Sequence, residues 1–227
     1  MGEMISTRVA YGQALEEFGS NENVYVFDAD LKSCTMTKYF AEKYPERFYN
    51  VGIAEANMVD IGAGFAACGA TALVHTFAIF ASGRVYDQVR NNVAYPGLNV
   101  KVVGSHAGLT VGEDGATHQC VEDISLMRTI PGMTVIVPCD AHETREAARA
   151  ILETAGPCYL RTGRGASGTA QAVWADAGAD CHMCKKSHRA KKISETERGK
   201  DIVYKRKICS GCGFRKRFRQ GCSGCRF

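Results

Sequence analysis

From residue 5 to residue 165 the chain alternates short β-branched or aromatic runs with segments of helical periodicity, and this alternation restricts the fold more than any other feature. The runs fall at residues 24–27 (Val-Tyr-Val-Phe), 48–51, 72–75, 100–104, 134–138 and 158–161, each carrying side chains that suit a buried pleated surface. Residues 6–18, 35–43, 54–68, 81–93 and 140–154 lie between them and read as helices; Asp140 stands three positions before Glu143, the spacing of a capping box. Strands so separated are joined by crossovers rather than hairpins. The expected fold class is therefore α/β, a mainly parallel sheet with helices on both faces. Such sheets gather ligands at the carboxyl ends of their strands, where Asp28-Ala29-Asp30 already places polar groups.

Beyond Gly165 the rhythm stops, and charge and cysteine usage change with it. Residues 1–165 hold 13 Lys and Arg against 19 Asp and Glu, a net charge of −6; residues 166–227 hold 15 against 5, a net +10. The expected organisation is one domain over 1–165 and a basic tail over 166–227. Cys34, Cys68, Cys120, Cys139 and Cys158 are scattered through the first part, as reduced thiols of a cytoplasmic protein would be. The tail instead carries three Cys-x-x-Cys pairs, Cys181/Cys184, Cys209/Cys212 and Cys222/Cys225. Its composition resembles an out-of-frame translation product and predicts disorder. The rival reading is a zinc ribbon on a basic, nucleic-acid-binding surface. No apolar run is long enough to span a bilayer, and residues 1–16 lack the basic start and apolar middle of a signal peptide, so a soluble cytoplasmic protein without a membrane partner is expected.

The densest chemistry lies in residues 108–119, Gly-Leu-Thr-Val-Gly-Glu-Asp-Gly-Ala-Thr-His-Gln. Glycines at 108, 112 and 115 allow positive φ and close approach, so this loop can wrap a ligand while Glu113, Asp114 and His118 face it. A polar substrate follows, though no particular reaction. The plainer alternative makes Asp114-Gly115 a turn and His118 the start of a helix.

A resemblance narrows the chemistry. Arg8 in Ser-Thr-Arg, Asp28-Ala29-Asp30-Leu31, the run from Phe48 to Met58 (Phe-Tyr-Asn-Val-Gly-Ile-Ala-Glu-Ala-Asn-Met), Thr76-Phe77-Ala78-Ile79-Phe80 and the segment from Gly112 to Gln119 stand in the order and spacing of the pyrimidine-binding domain of transketolases. The chain resembles the carboxyl-terminal section of a split transketolase over about residues 5–164. That resemblance implies thiamine diphosphate as cofactor and a two-carbon ketol transfer between sugar phosphates. It assigns Glu55 to the aminopyrimidine ring nitrogen and Phe77 and Phe80 to stacking on that ring. His106 and His118 would bond sugar hydroxyls and assist proton transfers, Asp114 would read a further hydroxyl, and Arg8, Ser33 or Cys34, and Arg164 would grip the terminal phosphate.

Two departures matter. The family carries a further aromatic three residues after Phe80, where this chain has Gly83, with Tyr86 another three along. The chain also lacks a Gly-Asp-Gly followed by Asn. The resemblance thus implies that Mg²⁺ and the cofactor's diphosphate are held by a partner chain, a diphosphate-binding transketolase subunit, in a homo- or hetero-oligomer, with no metal ligands on this pyrimidine domain. The competing readings are another thiamine enzyme, a 1-deoxyxylulose-5-phosphate synthase or a 2-oxoacid dehydrogenase β subunit, and an inactive truncated product with a zinc-binding tail. The loop from Gly112 to Gln119 favours the transketolase.

Overall fold

The computed structural model describes residues 4–167; the three cysteine pairs and the zinc and disorder readings of the tail lie outside the described residues. In chain order the elements are β1 (Ile5–Ser6), α1 (Thr7–Phe18), β2 (Val24–Asp28), α2 (Lys32–Thr35), α3 (Lys38–Lys43), β3 (Phe48–Asn50), α4 (Glu55–Ala67), β4 (Thr71–Phe77), α5 (Tyr86–Gln88), β5 (Val100–Ser105), α6 (Asp123–Thr129), β6 (Thr134–Ile136), α7 (Ala141–Glu153), β7 (Cys158–Arg161) and β8 (Ala166–Ser167). Six strands form one sheet in the order β3-β2-β4-β5-β7-β6, and every pairing in it is parallel. The six expected strands are all present, in the expected class of sheet. A separate antiparallel pair joins β1 to β8, with Ile5 opposite Ser167, so ordered pairing continues two residues past the boundary expected at 165.

Two apolar layers follow from the period of two along the strands. Phe27, Ala72, Val74, Val100, Val102 and Tyr159 face one side and pack with Met58, Val59 and Ala63 of α4, with Val85, Val89 and Val93, and with Met127 of α6. Val24, Val26, Leu73, Val103, Cys158 and Leu160 face the other and pack with Tyr11, Ala14 and Leu15 of α1, Phe40 of α3 and Ala147, Ala148 and Ile151 of α7. Helices therefore cover both faces. Gly62 is where α4 comes closest: a Cβ there would lie 2.8 Å from Val74 Cγ1.

Two local expectations are corrected, and one helix is present that none of them covers. The helix expected over 35–43 is broken at Met36, which takes a left-handed φ of 66°, giving α2 and α3. The cause is Asp28, whose buried carboxylate accepts from the Leu31 amide and from the hydroxyls of Thr35 at 2.7 Å and Thr37 at 3.0 Å. Those side-chain bonds compete with a continuous helix. Burial pushes the Asp28 carboxyl up and the three donors pull it back. The helix expected over 81–93 is instead a π turn at Phe80–Arg84, the short α5 and a second π turn at Val89–Ala94. No apolar periodicity marks α6, which is seven residues long and buries only Asp123 and Met127. Elsewhere the capping box at α7 forms as read: Glu143 N donates to Asp140 Oδ1 at 2.7 Å, and Glu143 Oε2 accepts from Cys139 N at 2.9 Å.

Because the sheet is parallel, the carboxyl ends of its strands share one edge. The chain leaves β2 toward β3 on one side and leaves β4 toward β5 on the other, so the strand order reverses between β2 and β4. A crevice forms at such a reversal.

Candidate functional site

A cavity of about 550 Å³ opens at that edge, lined by residues that follow five of the six strands. Ala29 and Leu31 come from the turn after β2 and Cys34 from α2, Glu55 from the start of α4 beyond β3, Phe77 from the end of β4 and Phe80 from the π turn that follows, His106 from just after β5 and Arg164 from the segment after β7; Arg8 enters from α1, and Glu113, Asp114 and His118 from the long loop. All but one of the site residues expected from sequence are brought together here. The exception is Ser33: it is exposed and Cys34 takes the wall, since one step along the short α2 turns the side chain by about 100°.

Glu55 occupies the first helical position of α4, directly after Gly52 (φ 74°) lets the chain turn out of β3. An acid in a helix's first turn complements the macrodipole, but Glu55 is only 4% exposed, and a buried carboxylate needs a partner. The partner is Arg84, whose Nη1 donates to Glu55 Oε1 at 2.7 Å. The sequence reading missed Arg84, because 29 residues and two strand ends separate the pair and no local spacing signals it.

The aromatic wall is formed by Phe77 and Phe80, nearly parallel with centroids 6.1 Å apart. His106 packs on Phe77 at 4.3 Å, and His118 meets Phe80 edge-on at 5.3 Å. Gly83 leaves open space around itself. Tyr86 does not reach the cavity; it packs into the core layer beside α4 and hydrogen-bonds Thr129. The guanidinium of Arg84 lies over Phe80 instead, 3.8 Å from the ring centroid.

His106 sits at a left-handed φ of 59° and is buried. Arg8 can only donate, so its Nη1, 3.3 Å away, requires an accepting Nε2; Nδ1 then carries the proton and donates to Ser105 Oγ at 2.8 Å. Burial first, then the Arg8 and Arg164 charges, hold this imidazole down to about 4, against the opposing pull of Asp114. It is a neutral hydrogen-bonding group at pH 7.

Arg8 also donates to Cys34 O at 3.0 Å, while its buried Nε has no hydrogen-bond partner. Desolvation and the nearby Arg164 lower its affinity for its proton. Arg164 Nη1 donates to Val111 O at 2.7 Å and comes within 3.9 Å of Glu113. Gly112 makes that approach possible, since at φ 95° a Cβ would stand 1.8 Å from Arg164 Nη1. Two guanidiniums on one wall suit an anionic group. Among the described residues no group of three or more His, Cys, Asp or Glu is placed to hold a metal ion, and no helix is long and apolar enough to cross a membrane.

Buried polar pairs also tie the strands to one another and to the helices. Tyr11 Oη donates to His75 Nε2 at 2.7 Å and His75 Nδ1 to Phe27 O at 3.0 Å; burial lowers His75 to about 4 and raises Tyr11 well above its ordinary value. Asp123 Oδ2 accepts from Tyr159 Oη and Arg161 Nε, both at 2.8 Å.

The family described as "Transketolase, pyrimidine binding domain" matches residues 3–169. A protein of Methanocaldococcus jannaschii described as "Putative transketolase C-terminal section" is 51% identical over 158 residues, 69% of this chain and 50% of that protein. A 6-deoxy-6-sulfo-D-fructose transketolase subunit of Clostridium sp. is 47% identical over 147 residues, 65% of this chain and 46% of the subunit. Among solved structures, one titled "Split gene transketolase, inactive beta4 tetramer" superposes with a TM-score of 0.64 at 45% identity, over 72% of this chain and 53% of that one. The chain thus spans about half the length of these two curated relatives.

Proposed function

The chain belongs to the transketolase family, and from that premise we propose that it supplies the pyrimidine side of a thiamine-diphosphate site for transfer of a two-carbon ketol unit between sugar phosphates. The observation that carries this reading is the meeting, in one cavity, of a buried carboxylate, a pair of nearly parallel phenylalanines and a rim of His, Asp and Arg. The cofactor fits: Phe77 and Phe80 offer a flat apolar face, and Glu55 offers a desolvated acceptor at its end. When bound, thiamine diphosphate supplies the nucleophilic carbon on which the ketol unit is carried.

Glu55 would hold and exchange a proton at the pyrimidine ring nitrogen, and Phe77 and Phe80 would orient the ring by offset stacking. His106 and His118 would hydrogen-bond sugar hydroxyls, and Asp114 would read another. The neutral state of His106 lets Nε2 accept a hydroxyl proton once Arg8 turns toward an anion. Arg8 and Arg164 would take the terminal phosphate, giving the unpartnered Arg8 Nε an acceptor, and Cys34 replaces Ser33 beside them. Diphosphate and Mg²⁺ would be held mainly by a partner chain carrying the diphosphate-binding domain. The split-gene relative, an inactive β4 tetramer by its title, supports the need for such a partner. The loop that delivers Asp114 and His118 favours ketol transfer over the other two thiamine chemistries.

The test is C2-proton exchange of thiamine diphosphate in the complex of this chain with a diphosphate-domain subunit. Glu55→Gln keeps shape and removes the acid, so exchange should fall to the rate of free cofactor while circular dichroism is unchanged. Exchange at the unmutated rate would remove Glu55 from its role.

A further inference from the structure

Glu55 and Phe80 share a neighbour that the function above leaves unused. Arg84 Nη1 lies 2.7 Å from Glu55 Oε1, and the same guanidinium covers the Phe80 ring at 3.8 Å. A single side chain occupies both features that an aminopyrimidine requires, an accepting oxygen and a flat aromatic face. A guanidinium is suited to that imitation, being planar, weakly hydrated and a donor along its edge. Ring and guanidinium cannot lie on one face of Phe80 together.

We propose that Arg84 is a displaceable placeholder for the aminopyrimidine, satisfying Glu55 and Phe80 until the cofactor takes its position. This rests on the assignment of Glu55 and Phe80 given above. The physical need is plain: Glu55 is almost wholly buried, and left alone it would be an uncompensated buried charge. The means of release is also present. The Arg84 side chain is 47% exposed and stands on the π turn next to Gly83, around which there is open space, so it can swing into water with little loss of packing. Single π turns of this kind recur at functional sites. Arg84 therefore acts as a positioning residue that competes with the cofactor, and the fraction of molecules in which it has swung out multiplies the intrinsic affinity.

The test uses the full chain assembled with a diphosphate-domain subunit, titrated calorimetrically with thiamine diphosphate in excess Mg²⁺. Arg84→Ala should tighten the dissociation constant by about tenfold, a change of about 1.4 kcal/mol, and Arg84→Gln, which reaches Glu55 without the charge, by a smaller factor. A side chain with a merely structural role would weaken binding when removed. Unchanged or weaker binding in a folded Arg84→Ala complex overturns the placeholder, and if that variant fails to fold, the same outcomes in Arg84→Gln decide. An unmutated complex that binds no thiamine diphosphate refutes the proposed function itself, and the placeholder with it; unmutated binding with no gain in the variants removes only the placeholder.

Discussion

Gly112→Ala isolates the mechanism by which the long loop presents Arg164. At φ 95° an alanine is strained, which costs about 1 kcal/mol. Its Cβ would also stand 1.8 Å from Arg164 Nη1 and 2.7 Å from Cζ, and the guanidinium, being the mobile end of the side chain, must give way. That breaks its 2.7 Å bond to Val111 O, worth about 1 kcal/mol at this partly exposed position. The total is about 2 kcal/mol, or a melting-temperature drop of about 4–8 °C for a domain of this size. Gly132 is the control: its φ is 79°, yet nothing lies within 4 Å of its Cβ, so Gly132→Ala should lower the melting temperature by only about 2–4 °C. Urea unfolding of Gly112→Ala, Arg164→Ala and the double variant closes the argument. In the Arg164→Ala background the cost of Gly112→Ala should fall to the control value, a coupling of about 1 kcal/mol. Zero coupling, or an equal cost at Gly132, would show that crowding of Arg164 does not explain Gly112.

Acid should destabilise the fold through its buried imidazoles: His75 and His106 titrate near 4 when folded and near about 6.5 when unfolded, so their contribution is complete above 6.5 and lost as pH falls from there toward 4. Each can account for about 2–3 kcal/mol between pH 7 and pH 4.5, and His75→Gln should flatten that loss in paired urea titrations; an equal loss in both proteins would rule His75 out. His118→Ala and Asp114→Ala should slow sugar turnover by about one to two decades with cofactor affinity intact, and a pure loss of thiamine diphosphate affinity would contradict the assignment. Assayed by itself with thiamine diphosphate, Mg²⁺ and sugar phosphates, the chain should turn nothing over until a diphosphate-domain subunit is added; robust turnover alone would overturn the half-site reading, and a chain ending after Ser167, which keeps β8 and its pairing with β1, that lost partner-dependent turnover would show the tail to be needed.

The strands were legible because their signal is local: a run such as Val24 to Phe27 has few alternatives once it must be buried on both faces, and with β4, β5 and β7 it determines the sheet class, while the edge strands β3 and β6 are only partly buried. The helices were less legible where a single side chain overrides periodicity. Asp28 breaks the segment after Leu31 by collecting an amide and two hydroxyls, a tertiary consequence of its burial, and the π turns around α5 depend on hydrogen-bond partners that a 3.6-residue pattern does not reveal. The same division runs through the candidate site. Phe77 ends β4, His106 directly follows β5, and Glu55 and Arg164 come within five residues of the ends of β3 and β7, where the sheet itself collects them, so an ordered motif finds them. Ser33 and Cys34 sit within one turn of a short helix, and a register ambiguous by one residue can be resolved only by the turn's orientation. Arg84 has neither advantage. Its meaning comes from Glu55, which lies across the crevice and is buried by folding, and a cation beside an acid that the chain has hidden from water becomes visible only after the hiding has been done. This is why the residue proposed to compete with the cofactor is the one that sequence spacing could not supply: the competition exists between side chains that folding alone brings within 3 Å.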